Sequence, residues 1–179
     1  MSSGEKNTLR EMVTVHRSTQ EGQATQMGDE NLFMVSSHVG HDCIIGSHNV
    51  VANASLLAGH VTLGNYNYLG GGSVYHQFIV VGDYCMSQGI SGFSTDIPHF
   101  TMVANVNEMS GLNIIGLRRA GFTPSERSEI KEVFRMVFSN KQTISQGVAA
   151  ARERSWSAPA EKFLKFVENP SKRGFPKRR

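Results

Sequence analysis

The sequence predicts a parallel β-helix followed by a helical cap. Two observations carry the prediction: a six-residue period through the first 110 or so residues, and helix signals that replace it toward the C-terminus. Taking every sixth residue from Val39 gives Val39, Ile45, Val51, Leu57, Leu63, Leu69, Tyr75 and Val81, all aliphatic but one. Their successors are Gly40, Gly46, Ala52, Ala58, Gly64, Gly70, His76 and Gly82, all glycine or alanine but one. Chance does not give both registers together.

A period of six fits neither an amphipathic helix nor an alternating strand. It fits a triangular solenoid in which each hexad supplies one short strand and one corner. The aliphatic residue points inward on each side, and the small residue beside it is expected to let the chain turn tightly. Three hexads make one coil, so residues 18 apart stack. The frame runs back through Phe33 to Met27-Gly28 and is hinted at by Leu9 and Val15. Thr19 to Gln26 breaks it and reads as an inserted loop. The chain begins almost inside a coil, which leaves an N-terminal sheet edge uncapped. The expectation is an additional upstream segment or a truncated chain.

The pattern fades after Gly92. Ser94 to His99 reads as a bend, and residues 111–122 as a glycine-punctuated connector between a β-helix (1–110) and a helical domain (123–179). Thr123, Pro124 and Glu126 supply an N-cap, an N1 proline and a capping box. Ile130, Val133, Phe134, Val137 and Phe138 make an apolar stripe on that helix. A second helix is expected over Ile144 to Arg154. A third starts near Ser157, buries Phe163, Leu164 and Val167, and stops at Asn169-Pro170. Such a cap protects the open end of a β-helix from edge pairing.

Composition narrows the class. The 179 residues are enough for a buried core, and the net charge is +3. Ser171 to Arg179 holds five of the 18 lysines and arginines, which suits either a phosphate or acidic partner or a solvated terminus. No nucleic-acid partner is expected. Met1 to Thr8 has no signal-peptide core, and no stretch approaches the ~20 apolar residues of a membrane span. Cys43 and Cys85 follow no zinc or redox spacing and read as small packed hydrophobes, so a cytoplasmic protein is expected.

Column arithmetic sorts the seven histidines. His48 and His99 read as structural. Adding 18 and 36 to His41 gives Gly59 and Gln77, which places the three in one column. His60 lies 18 beyond Asp42 and flanks it, and His76 precedes Gln77. With coils ~4.8 Å apart, His41 and Gln77 are separated by roughly 10 Å, a span that suits a substrate lying along the axis. These residue types permit acyl transfer to a hydroxyl. A neutral histidine accepts the alcohol proton, a carboxylate fixes its tautomer, and a glycine amide approaches the oxyanion. Asp42 reaches His41 only if the pair sits at a corner, because neighbours in a strand face opposite ways. The competing reading is that all of these are corner residues bonded to backbone.

The strings HVGHDCIIG (His38 to Gly46), LAGHVTLG (Leu57 to Gly64), VYHQF (Val74 to Phe78) and GLNIIGLRRAGF (Gly111 to Phe122) follow REMVTVHRST (Arg10 to Thr19) in this order. Together they resemble the acyl-ACP–UDP-N-acetylglucosamine O-acyltransferases that open lipid A synthesis, over nearly the whole chain. The resemblance implies a left-handed β-helix, a homotrimer with sites between neighbouring subunits, no metal and no bound cofactor. The acyl donor rides on the phosphopantetheine arm of acyl carrier protein. By position, His41 would be the general base on the sugar 3-hydroxyl, Asp42 its carboxylate partner and Gly59 the oxyanion donor. His16, His38, His60, His76 and Gln77 would contact the nucleotide sugar or acyl group. Arg118 and Arg119 would hold phosphates, with Asn113 of the same string beside them. Gly89 falls where the family sets acyl length, and a glycine there implies a long 3-hydroxyacyl chain.

Two departures stand out. The family carries several more coils before the position of Gly4. Asn105 to Ser110 is shorter than usual, with Glu108 where a histidine is common. Three rivals follow: a related acyltransferase on another nucleotide sugar, a shortened non-catalytic chain, and a zinc enzyme of the trimeric carbonic anhydrase type with His38, His41 and His60 as ligands.

Overall fold

The computed structural model describes residues 1–139, 142–169 and 172–178. Fifteen two-residue strands wind into a triangular prism. Its first face stacks Ser2–Ser3, Gln26–Met27, Ile44–Ile45, Thr62–Leu63 and Val80–Val81. The second stacks Thr8–Leu9, Leu32–Phe33, Val50–Val51, Tyr68–Leu69 and Met86–Ser87. The third stacks Thr14–Val15, His38–Val39, Leu56–Leu57, Val74–Tyr75 and Gly92–Phe93. All these pairs are parallel. Gln26 pairs Ile44, and Ile44 pairs Thr62, so one turn consumes three hexads. The first turn differs: Thr14 pairs His38, because the insertion after His16 adds one hexad's length. Gln26 itself belongs to a strand, so the inserted loop ends one residue earlier than the pattern predicts.

The inward column is buried from Met27 at 5% exposure through Phe33 and Val39 at 0%, whereas Val15 is only partly buried and Leu9, in the first turn, is 45% exposed. A buried asparagine column accompanies it. Asn49 Nδ2 donates to Asn31 Oδ1 at 3.0 Å, and Asn31 Nδ2 donates to Asn7 Oδ1 at 3.0 Å. Each side chain satisfies the next coil, and a slip of register would orphan buried amides.

The role expected of the small residues needs correction. Tight turning falls three residues after each inward aliphatic, where φ is positive at Glu30, Ser36, Asp42, His48, Ala54, His60, Tyr66, Phe78, Tyr84 and Ile90. Only one of these hexad corners, Gly72, uses glycine. The small residue beside the aliphatic is required by the coil above it. A Cβ on Gly40 would lie 2.6 Å from both the Ala58 carbonyl carbon and the Gly59 nitrogen.

The solenoid continues past Gly92 in a shortened form. Ile97 bridges to Val81, and Thr101–Ala104 pairs in parallel with Met86–Ser87, 16 residues on rather than 18. The segment expected as a bend is therefore part of another, tighter turn. Glu108–Leu112 then folds back antiparallel on Thr101–Ala104.

The connector carries a helix that its glycines hid: α1 (Ile114–Arg119), capped by Asn113, whose side chain accepts from Gly116 N–H. α2 (Pro124–Val137) has the predicted capping box between Thr123 and Glu126. α3 (Ile144–Ala151) stops with Arg152 as its C-cap, short of Arg154. There Arg152 pairs with Glu161 and Glu168. α4 (Ala158–Glu168) buries Phe163, Leu164 and Val167 and ends at Asn169; Pro170 lies outside the described residues. α2 and α4 join Phe100, Met109 and Leu117 in a second apolar core, so the helices pack on the last strands of the solenoid.

The backbone of the basic tail is docked at its end, while Lys172, Lys177 and Arg178 stay exposed, so the solvated reading holds for these side chains. Lys177–Arg178 adds a strand beside Glu108–Met109, and Arg178 donates to the Phe138 carbonyl at 2.9 Å. Ser171 and Arg179 of that tail lie outside the described residues. No helix among the described residues is long and apolar enough to cross a membrane.

Candidate active site

The corner between the third and first faces stacks His41-Asp42, Gly59-His60 and Gln77-Phe78. His60 N–H donates to the His41 carbonyl at 2.9 Å, and Phe78 N–H to the Gly59 carbonyl at 3.3 Å. The vertical alignment predicted from the 18-residue repeat therefore holds for residues 41, 59 and 77. Asp42, at φ 59°, is the left-handed corner residue. That turn swings its side chain back to its neighbour, and His41 Nδ1 lies 2.7 Å from Asp42 Oδ2.

Asp42 has several donors. Ser18 Oγ–H donates to Oδ1, Thr19 Oγ1–H donates to Oδ2 at 2.7 Å, and Thr19 N–H lies 3.3 Å from each oxygen. Hydrogen bonds from Ser18, Thr19 and His41 hold the carboxyl well below the usual carboxylate range, outweighing burial. The side chain is only 10% exposed, while His41 is 38% exposed. An ionised carboxylate only accepts, so His41 Nδ1 carries a proton, and in the neutral ring the lone pair is left on Nε2. The imidazole lies over Gly59: a Cβ there would sit 2.5 Å from Nε2. His60 meets the His41 ring edge-on at 5.0 Å and is itself stacked on Phe78 at 4.5 Å.

The other predicted residues divide into groups. His38 and His16 meet edge-on at 4.6 Å one step earlier on the third face, where Thr14 Oγ1 lies 2.8 Å from His38 Nδ1. Burial, then His16, lowers the His38 pKa. His76 and Gln77 are exposed, and His76 Nδ1 donates to the Gln77 carbonyl at 3.1 Å. Val15, His16, Arg17, Ser18, Thr19 and His41 line an open groove of about 360 Å³. Gly89 is at a different corner, beside Gly71. Asn113 and Arg119 lie on another side of the molecule. With Tyr66, Tyr68, Met86 and Met102 they line a cavity of about 560 Å³, and Asn113 Nδ2 donates to the Tyr84 carbonyl at 3.0 Å. Arg118 is exposed on α1.

Of the three histidines weighed as zinc ligands, His41 and His60 converge with Asp42, their ligand atoms all within 4.8 Å; His38 is engaged with Thr14 instead. The two expected bystanders are packed: His48 stacks on Tyr66 at 4.5 Å, and half-buried His99 accepts the Asp83 N–H at Nδ1. Burial pushes the thiols of Cys43 and Cys85 up to about 11 and about 12, as suits unreactive core residues.

Sequence reasoning missed Ser18 and Thr19. The signal was present: with the first turn offset by 24 residues, Ser18 falls in the column of Asp42.

A β-helix of six-residue repeats, three to a turn, with a helical cap and a histidine-lined corner defines a hexapeptide-repeat protein. Comparison with known proteins narrows this. Residues 96–175 match the family described as Udp N-acetylglucosamine O-acyltransferase, Domain 2. The acyl-[acyl-carrier-protein]–UDP-N-acetylglucosamine O-acyltransferase of Burkholderia mallei is 36% identical over 178 residues, 96% of this chain and 68% of that protein. The UDP-N-acetylglucosamine acyltransferase structures from Campylobacter jejuni and Arabidopsis each superpose with a TM-score of 0.92 over 98% of this chain, at 32% and 36% identity, and cover 69% and 65% of those chains. The chain belongs to the UDP-N-acetylglucosamine O-acyltransferase family. It spans 55% of the length of the relative from Gloeothece citriformis and 61% of that from Synechocystis.

Proposed function

We propose that this chain transfers a 3-hydroxyacyl group from acyl carrier protein to the 3-hydroxyl of UDP-N-acetylglucosamine, the opening step of lipid A synthesis. The observation that carries the reading is the His41–Asp42 contact at 2.7 Å, set over Gly59. In this mechanism His41 Nε2 takes the proton of the sugar 3-hydroxyl as its oxygen attacks the thioester carbonyl. Asp42 stays ionised and stabilises the imidazolium. The Gly59 amide takes up the oxyanion. Collapse expels the phosphopantetheine thiolate, which recovers the proton from His41. No cofactor bound to the protein is required, and the reaction belongs in the cytoplasm with its carrier-borne donor.

The reading includes a homotrimer with sites between subunits. It is supported by the separation of Asn113 and Arg119 from the His41 corner: one ligand contacts both only if a neighbouring subunit supplies one of them. Leu56 and Val74 on the third face, and Tyr68 and Met86 on the second, are exposed and available for such packing. Arg118 and Arg119 then hold phosphates, His16, His38, His60, His76 and Gln77 line the substrate groove, and Gly89 leaves room for a long acyl chain. The test is a direct assay with UDP-N-acetylglucosamine and a series of 3-hydroxyacyl carrier proteins. Transfer to the sugar 3-oxygen, best with long chains, supports the reading; no transfer at any length by the folded protein overturns it.

A further inference from the structure

We propose that Ser18 and Thr19 are positioning residues for the His41–Asp42 pair, acting through the Asp42 carboxylate. The inference rests on the acyl-transfer reading, in which His41 is the base. The inserted loop grips Asp42 from both of its ends. Ser18 and Thr19 at its start donate to the carboxylate, and Thr25 at its end accepts the Asp42 N–H at 2.9 Å. Ser18 and Thr25 are buried, so the grip is part of the packed corner. The positively charged form of His41 needs a carboxylate fixed on Nδ1; a carboxylate free to rotate would also be drawn to His60, whose Nε2 lies 3.7 Å from the same Oδ2. The Thr19 hydroxyl shares Oδ2 with His41 and the Ser18 hydroxyl holds Oδ1, which sets the plane of the carboxylate toward Nδ1. The solenoid provides this hold only because the insertion brings Ser18 over Asp42.

Thr19→Val keeps the shape of the side chain and removes its hydroxyl; Ser18→Ala does the same for its neighbour. The double variant should lower kcat by about tenfold to a hundredfold, the loss that follows from removing charge-assisted hydrogen bonds. KM for UDP-N-acetylglucosamine should stay unchanged, and Thr19→Ser should restore the rate. A loop that only anchors itself on the corner would lower the melting temperature and leave kcat intact, which would overturn the proposal. A second readout does not depend on turnover: carbon-detected NMR titration of Asp42, which faces His41 and His60. Its carboxyl pKa should rise by about one unit or more in the double variant, and an unmoved titration would overturn the proposal. If the parent chain is inactive, the acyl-transfer reading fails, while the titration still decides whether Ser18 and Thr19 hold Asp42.

Discussion

Gly59→Ala tests the packing of the corner and its chemistry together. The added methyl would lie 2.5 Å from His41 Nε2, 2.6 Å from Cε1 and 3.0 Å from Cδ2, whereas ordinary contact begins near 3.4 Å. All three atoms belong to one imidazole ring that is 38% exposed, so it can tilt toward solvent at the expense of its contact with Asp42. The ring must therefore yield by 3.4 minus 2.5, about 0.9 Å. The φ of Gly59 is not in the left-handed range, so alanine adds no backbone strain. The fold should tolerate the change, and the melting temperature should move by only a degree or two. Catalysis should not, because a misplacement of ~1 Å in a reacting group costs about a hundredfold. The assay is steady-state acyl transfer with both substrates varied, beside thermal melts of the same preparations. Melting unchanged with kcat down by about a hundredfold is expected. A variant retaining kcat to within about threefold would refute the claim that His41, seated on Gly59, is the base.

Two further predictions concern other parts of the molecule. Burial, partly opposed by Asp83, pushes His99 down to about 4 from 6.5, and its Nδ1 accepts the Asp83 N–H. The unfolded chain therefore takes up a proton near pH 6.5 that the folded chain refuses until about pH 4, so stability falls with pH across that window. The loss reaches about 3 kcal/mol, and denaturation midpoints at stepped pH should show a shallower fall in His99→Gln; equal slopes would contradict the assignment. Arg119→Ala, in the cavity with Tyr68 and Met86, should raise KM for UDP-N-acetylglucosamine by about tenfold or more and leave kcat within about twofold. An unchanged KM would remove Arg119 from phosphate binding.

The sequence made the solenoid legible because its constraint is local and repeated. Every inward position from Val39 to Val81 meets the same environment, so a single period reports fold, register and column together. The α2 start was equally readable, since Thr123, Pro124 and Glu126 each satisfy a defined backbone need at a helix terminus. What escaped is set by tertiary contact. The left-handed corners fall on aspartate, histidine and tyrosine as well as glycine, because stacking of neighbouring coils outweighs the small backbone penalty. α1 is short and contains Gly116, and its cap Asn113 is fixed by Tyr84, far back in the chain. Arg178 docks by a strand pairing and a carbonyl contact that no local pattern encodes. In the site, the 18-residue arithmetic found His41, Gly59 and Gln77, and the left-handed turn at Asp42 settled the one contact it left open. Ser18 and Thr19 were hidden by the insertion that delivers them.

The most direct measurement is the turnover of His41→Ala with UDP-N-acetylglucosamine and a long-chain 3-hydroxyacyl carrier protein. His41 is partly exposed at a corner and its loss opens no core cavity, so the variant should match the parent in oligomeric state and melting temperature. Transfer should drop by about 10²–10⁴-fold, the contribution of a positioned base. Turnover at close to the parent rate in a normally folded variant would contradict the account.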